Sequence, residues 1–348
     1  MVRWRPVRPG RRGASGGGGA GSMSDTVSFA EVEAAAVRLR GKVVRTPLLR
    51  HRMLDTLTGA TVVVKPEPLQ RTGSFKLRGA TNAALLLDHA ARRAGVVTHS
   101  SGNHGQALAC AAQMLGMPAL IAMPADAPAI KVESTRRWGA EIHPFDRHGA
   151  DRDALALHLA EARGAALIPP FDHPHVIAGQ GTVALELIED AKAAGLVLDH
   201  LLVCTGGGGL IAGCALVAEA LAPMAEIWAV EPEGWDDTRA SLEAGHRVPA
   251  DGKGDGFCDA LLSKQPGALT FAINHGRLAG GLVVTRAEVL RAMRFAFDHL
   301  KIVAEPGGAV ALAALLAGRL DLQGDTVGVV ISGGNVDPAV FAEALTAA

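Results

Sequence analysis

Short β-branched and apolar runs, separated by alanine- and leucine-rich stretches of helical period, constrain this chain more than any other feature. Thr61-Val62-Val63-Val64, Ala119-Leu120-Ile121-Ala122, Leu201-Leu202-Val203, Glu226-Ile227-Trp228-Ala229-Val230 and Val327-Gly328-Val329-Val330-Ile331 read as buried strands. Helical patterns fall between nearly all of them. Such alternation calls for a mostly parallel sheet covered by helices on both faces, an α/β fold. Ligands then bind at the carboxyl ends of the strands, and glycine-rich segments follow Thr98-His99, Val203-Cys204 and Val330-Ile331 at that position. Three loops converging on one edge predict one large site.

Bulk properties narrow the function. At 348 residues the chain can hold one large unit or two domains around a substantial core. Arg3, Arg5, Arg8, Arg11 and Arg12 stand near the start with no acid beside them, so the net charge of −1 conceals an acidic body. Such a body lacks the basic stripe that nucleic acid requires. Residues 1–23, with a glycine run before Met23, offer no apolar stretch for a signal peptide or membrane span and are expected to be a disordered or mis-started tail. The folded part should begin near Ser24, and Ser28-Phe29-Ala30-Glu31 is a capping box opening a helix to about Arg40. Four cysteines without C-x-x-C spacing indicate neither a zinc site nor a disulfide framework, which fits a reducing cytoplasm.

Gly206-Gly207-Gly208-Gly209-Leu210 joins a strand to a helix, where main-chain N–H groups and the helix dipole suit a phosphate. The same stretch, as Gly207-Gly208-Gly209-Leu210-Ile211-Ala212 with Glu231 about twenty residues on, also satisfies a dinucleotide fingerprint. It lies more than halfway along the chain, however, after several βα units. No Gly-Lys-Ser/Thr follows any glycine loop, which excludes a P-loop. Ser100-Ser101-Gly102-Asn103-His104-Gly105-Gln106 supplies more polar groups than an N-cap needs and suits a substrate carboxylate. A hydrolase using Ser101 and His104 would lack both the nucleophile elbow and an orienting acid. Lys76 follows Gly73-Ser74 at a helix start, a position where most lysines are merely solvated. A phosphate loop, a carboxylate loop and a lysine at a turn are together what an amino-acid enzyme using pyridoxal 5′-phosphate (PLP) requires.

In order and spacing these segments resemble the two-domain fold-type II PLP enzymes (tryptophan synthase β-like), specifically the serine/threonine dehydratase and serine racemase group. Ser74-Phe75-Lys76-Leu77-Arg78-Gly79-Ala80 matches its lysine segment, Ala178-Gly179-Gln180-Gly181-Thr182 a shared helix start, and Ser332-Gly333-Gly334-Asn335 the segment at the pyridine ring. The likeness runs from about Ser28 to Asp337. It implies that Lys76 holds the cofactor covalently and, once freed, removes the α-proton. It further implies that Phe75 packs beside the ring, Asn103 binds the ring hydroxyl, and Ser332 the ring nitrogen. Gly206, Gly207, Gly208, Gly209 and Leu210 would bind the phosphate, and Ser100, Ser101, Asn103 and His104 the substrate. A neutral hydroxyl at the nitrogen limits carbanion build-up and favours loss of a β-substituent.

The activity so implied is dehydration and deamination of L-threonine or L-serine to a 2-oxo acid and ammonia, with 3-hydroxyaspartate as an alternative substrate. Ser101 matches the opposite-face acid/base of the racemases, so serine racemase is the other alternative. Glu231, Asp237 and the Trp235 carbonyl resemble the group's Mg²⁺ or Ca²⁺ site. A large PLP domain of residues 24–97 and 173–348 would enclose a small mobile domain of 98–172, in a cytoplasmic homodimer. The chain ends soon after Ser332-Gly333-Gly334, so feedback by isoleucine through a regulatory domain is not expected. His299 and Arg71 replace residues of the nucleotide-activated racemases, which counts against control by ATP.

Overall fold

The computed structural model describes residues 27–100, 102–127, 129–146 and 151–346; the tail and Ser101 lie outside them. Nine strands run in chain order: β1 (Thr61–Pro66), β2 (Val96–His99), β3 (Ala119–Pro124), β4 (Glu141–Phe145), β5 (Ala166–Leu167), β6 (His200–Cys204), β7 (Glu226–Pro232), β8 (Gly280–Val284) and β9 (Thr326–Ile331). They form two sheets, β1-β9-β6-β7-β8 and β4-β3-β2-β5. Every ladder is parallel. The α/β expectation therefore holds, with two sheets rather than one.

Alternation along the strands feeds a core on each face. Val62 and Val64 of β1 join one apolar cluster with Leu202, Val327 and Val329, while Val63 joins another with Leu201, Val203 and Val330. In the smaller sheet Val96 and Ile121 face one way, and Val97 and Leu120 the other. A sheet buried on both faces needs helices on both, and the connecting segments supply them. The first helix, Phe29–Leu39, opens as expected, with the Ser28 N–H donating to the Glu31 carboxylate at 2.7 Å. Among the described residues no helix is long and apolar enough to cross a membrane.

Glycines set how closely three helices approach. Lys76–Leu85, Pro174–Ala193 and Gly209–Leu221 pack side by side. A Cβ on Gly179 would lie 2.7 Å from the Gly79 Cα and from the Arg78 carbonyl oxygen, and one on Gly213 2.5 Å from the Gly181 nitrogen. The helix that starts at the lysine and the one that starts at the glycine loop are thus both pressed onto the helix between them. No side chain fits at either crossing without parting the backbones.

Gly179→Ala should therefore destabilise the protein by about 1–3 kcal/mol, the usual cost of overpacking, read from the urea midpoint. An unchanged midpoint would mean that the crossing is looser than these distances indicate.

Candidate active site

A cavity of about 620 Å³ opens at the carboxyl ends of the strands, lined by the Lys76 segment, the Ser100 loop, the glycine loop and Ser332. The three predicted loops do converge. The lysine segment is stitched in place before its helix begins. Gly73 turns through φ +71°, Ser74 makes an antiparallel bridge to Gly333, and the Phe75 N–H donates to the Ser332 carbonyl at 3.1 Å. The Lys76 ammonium lies 5.1 Å from the Phe75 ring centroid and donates to the Pro170 carbonyl at 2.7 Å. Burial lowers its pKa to about 8, opposed by the nearby Glu305 carboxylate.

The glycine loop has the features of an anion cradle. Gly208 sits at φ +91° as the N-cap of the helix Gly209–Leu221. Among the described residues the N–H groups of Gly206, Gly207, Gly208, Gly209 and Leu210 donate to no acceptor, although they line the cavity. Five orphaned donors beside a helix N-terminus fit a phosphate. The other side of the loop is closed by Phe171, since a Cβ on Gly207 would lie 2.4 Å from its ring. The Thr270 hydroxyl donates to the Gly207 carbonyl at 2.8 Å, and Asp172 caps the helix that carries Thr270.

The remaining predicted residues fall into distinct settings. Ser100 lines the cavity, its hydroxyl oxygen accepting the Gly102 N–H at 3.2 Å. Buried Ser332 lines it opposite. His104 donates from Nε2 to the Ile168 carbonyl at 3.0 Å. Burial and the charge of Lys76 push its pKa down to about 3, so the ring is neutral and Nδ1 is a bare acceptor. Asn103 donates to Glu305 Oε1 at 2.6 Å and accepts from Asn335 Nδ2 at 2.7 Å. Glu305 was not foreseen from sequence. Its pKa is raised to about 8, chiefly by burial and then by Asp259.

The predicted metal residues form a separate acidic site at the end of β7. Glu231 accepts the N–H groups of Thr238 and Arg239 at 2.8 and 2.9 Å. Both Asp237 carboxylate oxygens are buried with no hydrogen-bond partner. Burial pushes both acids up, Glu231 to about 8 and Asp237 to about 7, with the Asp237 charge adding to the rise at Glu231. Orphaned carboxylate oxygens fit a hard cation. Among the described residues no three acidic, histidine or cysteine side chains converge, so a cation here would also draw on the Trp235 carbonyl.

A half-buried lysine of lowered pKa, a cradle of free N–H groups and a hydroxyl at the opposite wall, on parallel α/β sheets, define a PLP enzyme of fold type II. The chain belongs to that family: the model described as pyridoxal-phosphate dependent enzyme matches residues 39–333. The L-threo-3-hydroxyaspartate ammonia-lyase of a Pseudomonas species is 45% identical over 318 residues, covering 91% of this chain and 98% of that one. The serine racemase of Schizosaccharomyces pombe is 40% identical over 327 residues, covering 93% and 100%. The crystal structure of a bacterial-type threonine deaminase superposes with a TM-score of 0.82 at 42% identity, covering 89% of this chain and 99% of that one.

Lys76 should titrate well below a solvated lysine. In cofactor-free protein its labelling by an amine-specific reagent should reach half its maximum near pH 8, and Glu305→Gln should move that midpoint down. A midpoint above pH 10 would show the amine to be solvated.

Proposed function

We propose that the enzyme is an ammonia-lyase for β-hydroxy amino acids whose preferred substrate is a dicarboxylic one, 3-hydroxyaspartate. The observation that carries the preference is the pair of cations Lys131 and Arg152 on the wall of the Lys76 cavity. Lys131 rests on Asp259, an arrangement that a second substrate carboxylate could take over. The relative named L-threo-3-hydroxyaspartate ammonia-lyase supports the same reading. L-Serine and L-threonine offer the same α-carbon and hydroxyl but no second carboxylate.

When bound, the cofactor supplies an electron sink for the bonds at the substrate α-carbon. The chain's own residues do the rest. Gly206, Gly207, Gly208, Gly209 and Leu210 hold the phosphate with their free N–H groups, Asn103 holds the ring hydroxyl, and Ser332 faces the ring nitrogen. Lys76, partly unprotonated near neutral pH, attaches the cofactor and later takes the α-proton. Ser100 and the adjoining helix start bind the α-carboxylate. Net loss of the α-proton and β-hydroxyl as water, followed by hydrolysis, yields a 2-oxo acid and ammonia. Racemisation is a second outcome, supported by the relative named serine racemase.

Release of 2-oxo acid should show a higher kcat/KM for L-threo-3-hydroxyaspartate than for L-serine or L-threonine. Arg152→Leu should cut the dicarboxylate value roughly 10–100-fold, the worth of one charged hydrogen bond, and leave serine nearly unaffected. Equal losses on both substrates would remove the dicarboxylate preference, and no 2-oxo acid from any of them would remove the lyase.

The reading extends to a Mg²⁺ or Ca²⁺ ion at Glu231, Asp237 and the Trp235 carbonyl, resting on the two orphaned Asp237 oxygens. Either ion should raise the thermal midpoint of the chelator-treated protein, and Asp237→Asn should abolish the rise. An equal rise in the variant would place any bound cation elsewhere.

A further inference from the structure

Glu305 is the N-cap residue of the helix Pro306–Leu316, yet its side chain makes no capping hydrogen bond. It is buried, lines the cavity and turns its carboxylate to Asn103 instead. The Ser332-Gly333-Gly334-Asn335 loop is built around it. The Glu305 N–H donates to the Gly333 carbonyl at 3.0 Å, and a Cβ on Gly333 would lie 2.1 Å from Glu305 Oε1. Only glycine leaves room for the carboxylate there. Two residues on, Asn335 Nδ2 donates to the Asn103 oxygen at 2.7 Å and to the Thr72 carbonyl at 2.7 Å.

A free asparagine amide has two orientations related by a flip, and only one presents its N–H to a given point. Here both ends are occupied. Flipping Asn103 would set its NH₂ against the Asn335 NH₂ and its oxygen against Glu305 Oε1, two repulsive contacts in place of two hydrogen bonds. We propose that Glu305 is a positioning residue that, with Asn335, locks the Asn103 amide so that its second N–H is presented to the cofactor's ring oxygen. The inference rests on Asn103 as the ring-hydroxyl contact. It assigns Glu305 a part in cofactor binding that comes from its geometry against Asn103, independent of any role in proton transfer.

The test is a cycle of PLP dissociation constants, measured by adding PLP to cofactor-free full-length protein and following the visible absorbance. Glu305→Leu should weaken binding roughly tenfold, the effect of losing one charge-assisted hydrogen bond. Glu305→Gln, which keeps an acceptor oxygen in place, should restore affinity to within about threefold. Combining Glu305→Leu with Asn103→Ala should bind no more weakly than Asn103→Ala alone, because the two act through one contact. Should Glu305→Leu fail to fold, Glu305→Asp, whose carboxylate falls one methylene short of Asn103, should give the same non-additive loss. Wild-type affinity in both Glu305→Leu and Glu305→Asp, or additive losses in the cycle, would overturn the proposal. Wild-type affinity in Asn103→Ala would remove the ring contact on which it stands, and a wild-type protein that binds no PLP would remove the cofactor reading itself.

Discussion

The site depends on a charge buried out of water's reach. Arg78, two residues beyond the lysine, has a side chain with no exposure, and its guanidinium is held by Glu67 at 2.8 Å and by Glu186 at 2.7 and 2.9 Å. The Thr182 hydroxyl and the Val44 carbonyl take further donors. Buried Lys65 of β1 completes the balance by pairing with the same Glu186 at 2.7 Å. Two cations face two carboxylates, so the cluster is neutral as a whole. Removing one member would leave an uncompensated charge in the interior, a loss of about 3–5 kcal/mol. The cluster ties β1, the segment after it and the helix Pro174–Ala193 to the first turn of the lysine helix. Glycine crossings set the spacing of these elements, and the guanidinium fork sets their register.

A second hub works from the opposite side through a segment with little regular structure. Between Ile168 and His173 each residue but Pro169 has a distinct partner. The Ile168 carbonyl fixes the His104 tautomer, the Pro170 carbonyl receives Lys76, and Phe171 closes the glycine loop. Asp172 caps the helix whose Thr270 holds Gly207, and His173 caps Pro174–Ala193 by accepting the His175 N–H. The lysine and the phosphate cradle, about 130 residues apart in sequence, are thereby referred to one short stretch. A shift of that stretch moves both.

What could be read from sequence follows from where each residue lies. The central strands β2, β3, β6, β7 and β9 announced themselves as apolar runs because neighbours cover both their faces and both their edges; β1, an edge strand, did so through its unbroken valines. The strands that passed unnoticed, β4, β5 and β8, all lie at sheet edges. β4 carries Pro144, β8 begins with two glycines and β5 is two residues long, so none shows a buried pattern. The glycine loop and the Ser332 loop were legible because close backbone approach demands glycine. Glu305 and Pro170 were not. One acts through a side chain whose partner is about 200 residues away and the other through a carbonyl oxygen, which any residue possesses. The acidic motif at β7 was legible as a pattern of oxygen donors, whereas the absence of partners at Asp237 emerges only in three dimensions.

Lys76 and Arg78 show how one helical turn can carry two cations with opposite fates. Both are drawn into the interior, and for both the largest effect is loss of hydration, which disfavours the charged form. Arg78 meets two carboxylates that overturn this loss, and its pKa rises above the ordinary arginine value. Lys76 meets only a carbonyl and an aromatic ring, with Glu305 near enough to attract but itself raised to about 8. The penalty at Lys76 is therefore only partly offset, and its pKa falls. A carboxylate hydrogen-bonded to Lys76 would have produced a second structural cation like Arg78. Keeping the acid one residue removed, on Asn103, leaves a lysine that can give up its proton near neutral pH and still be held in place.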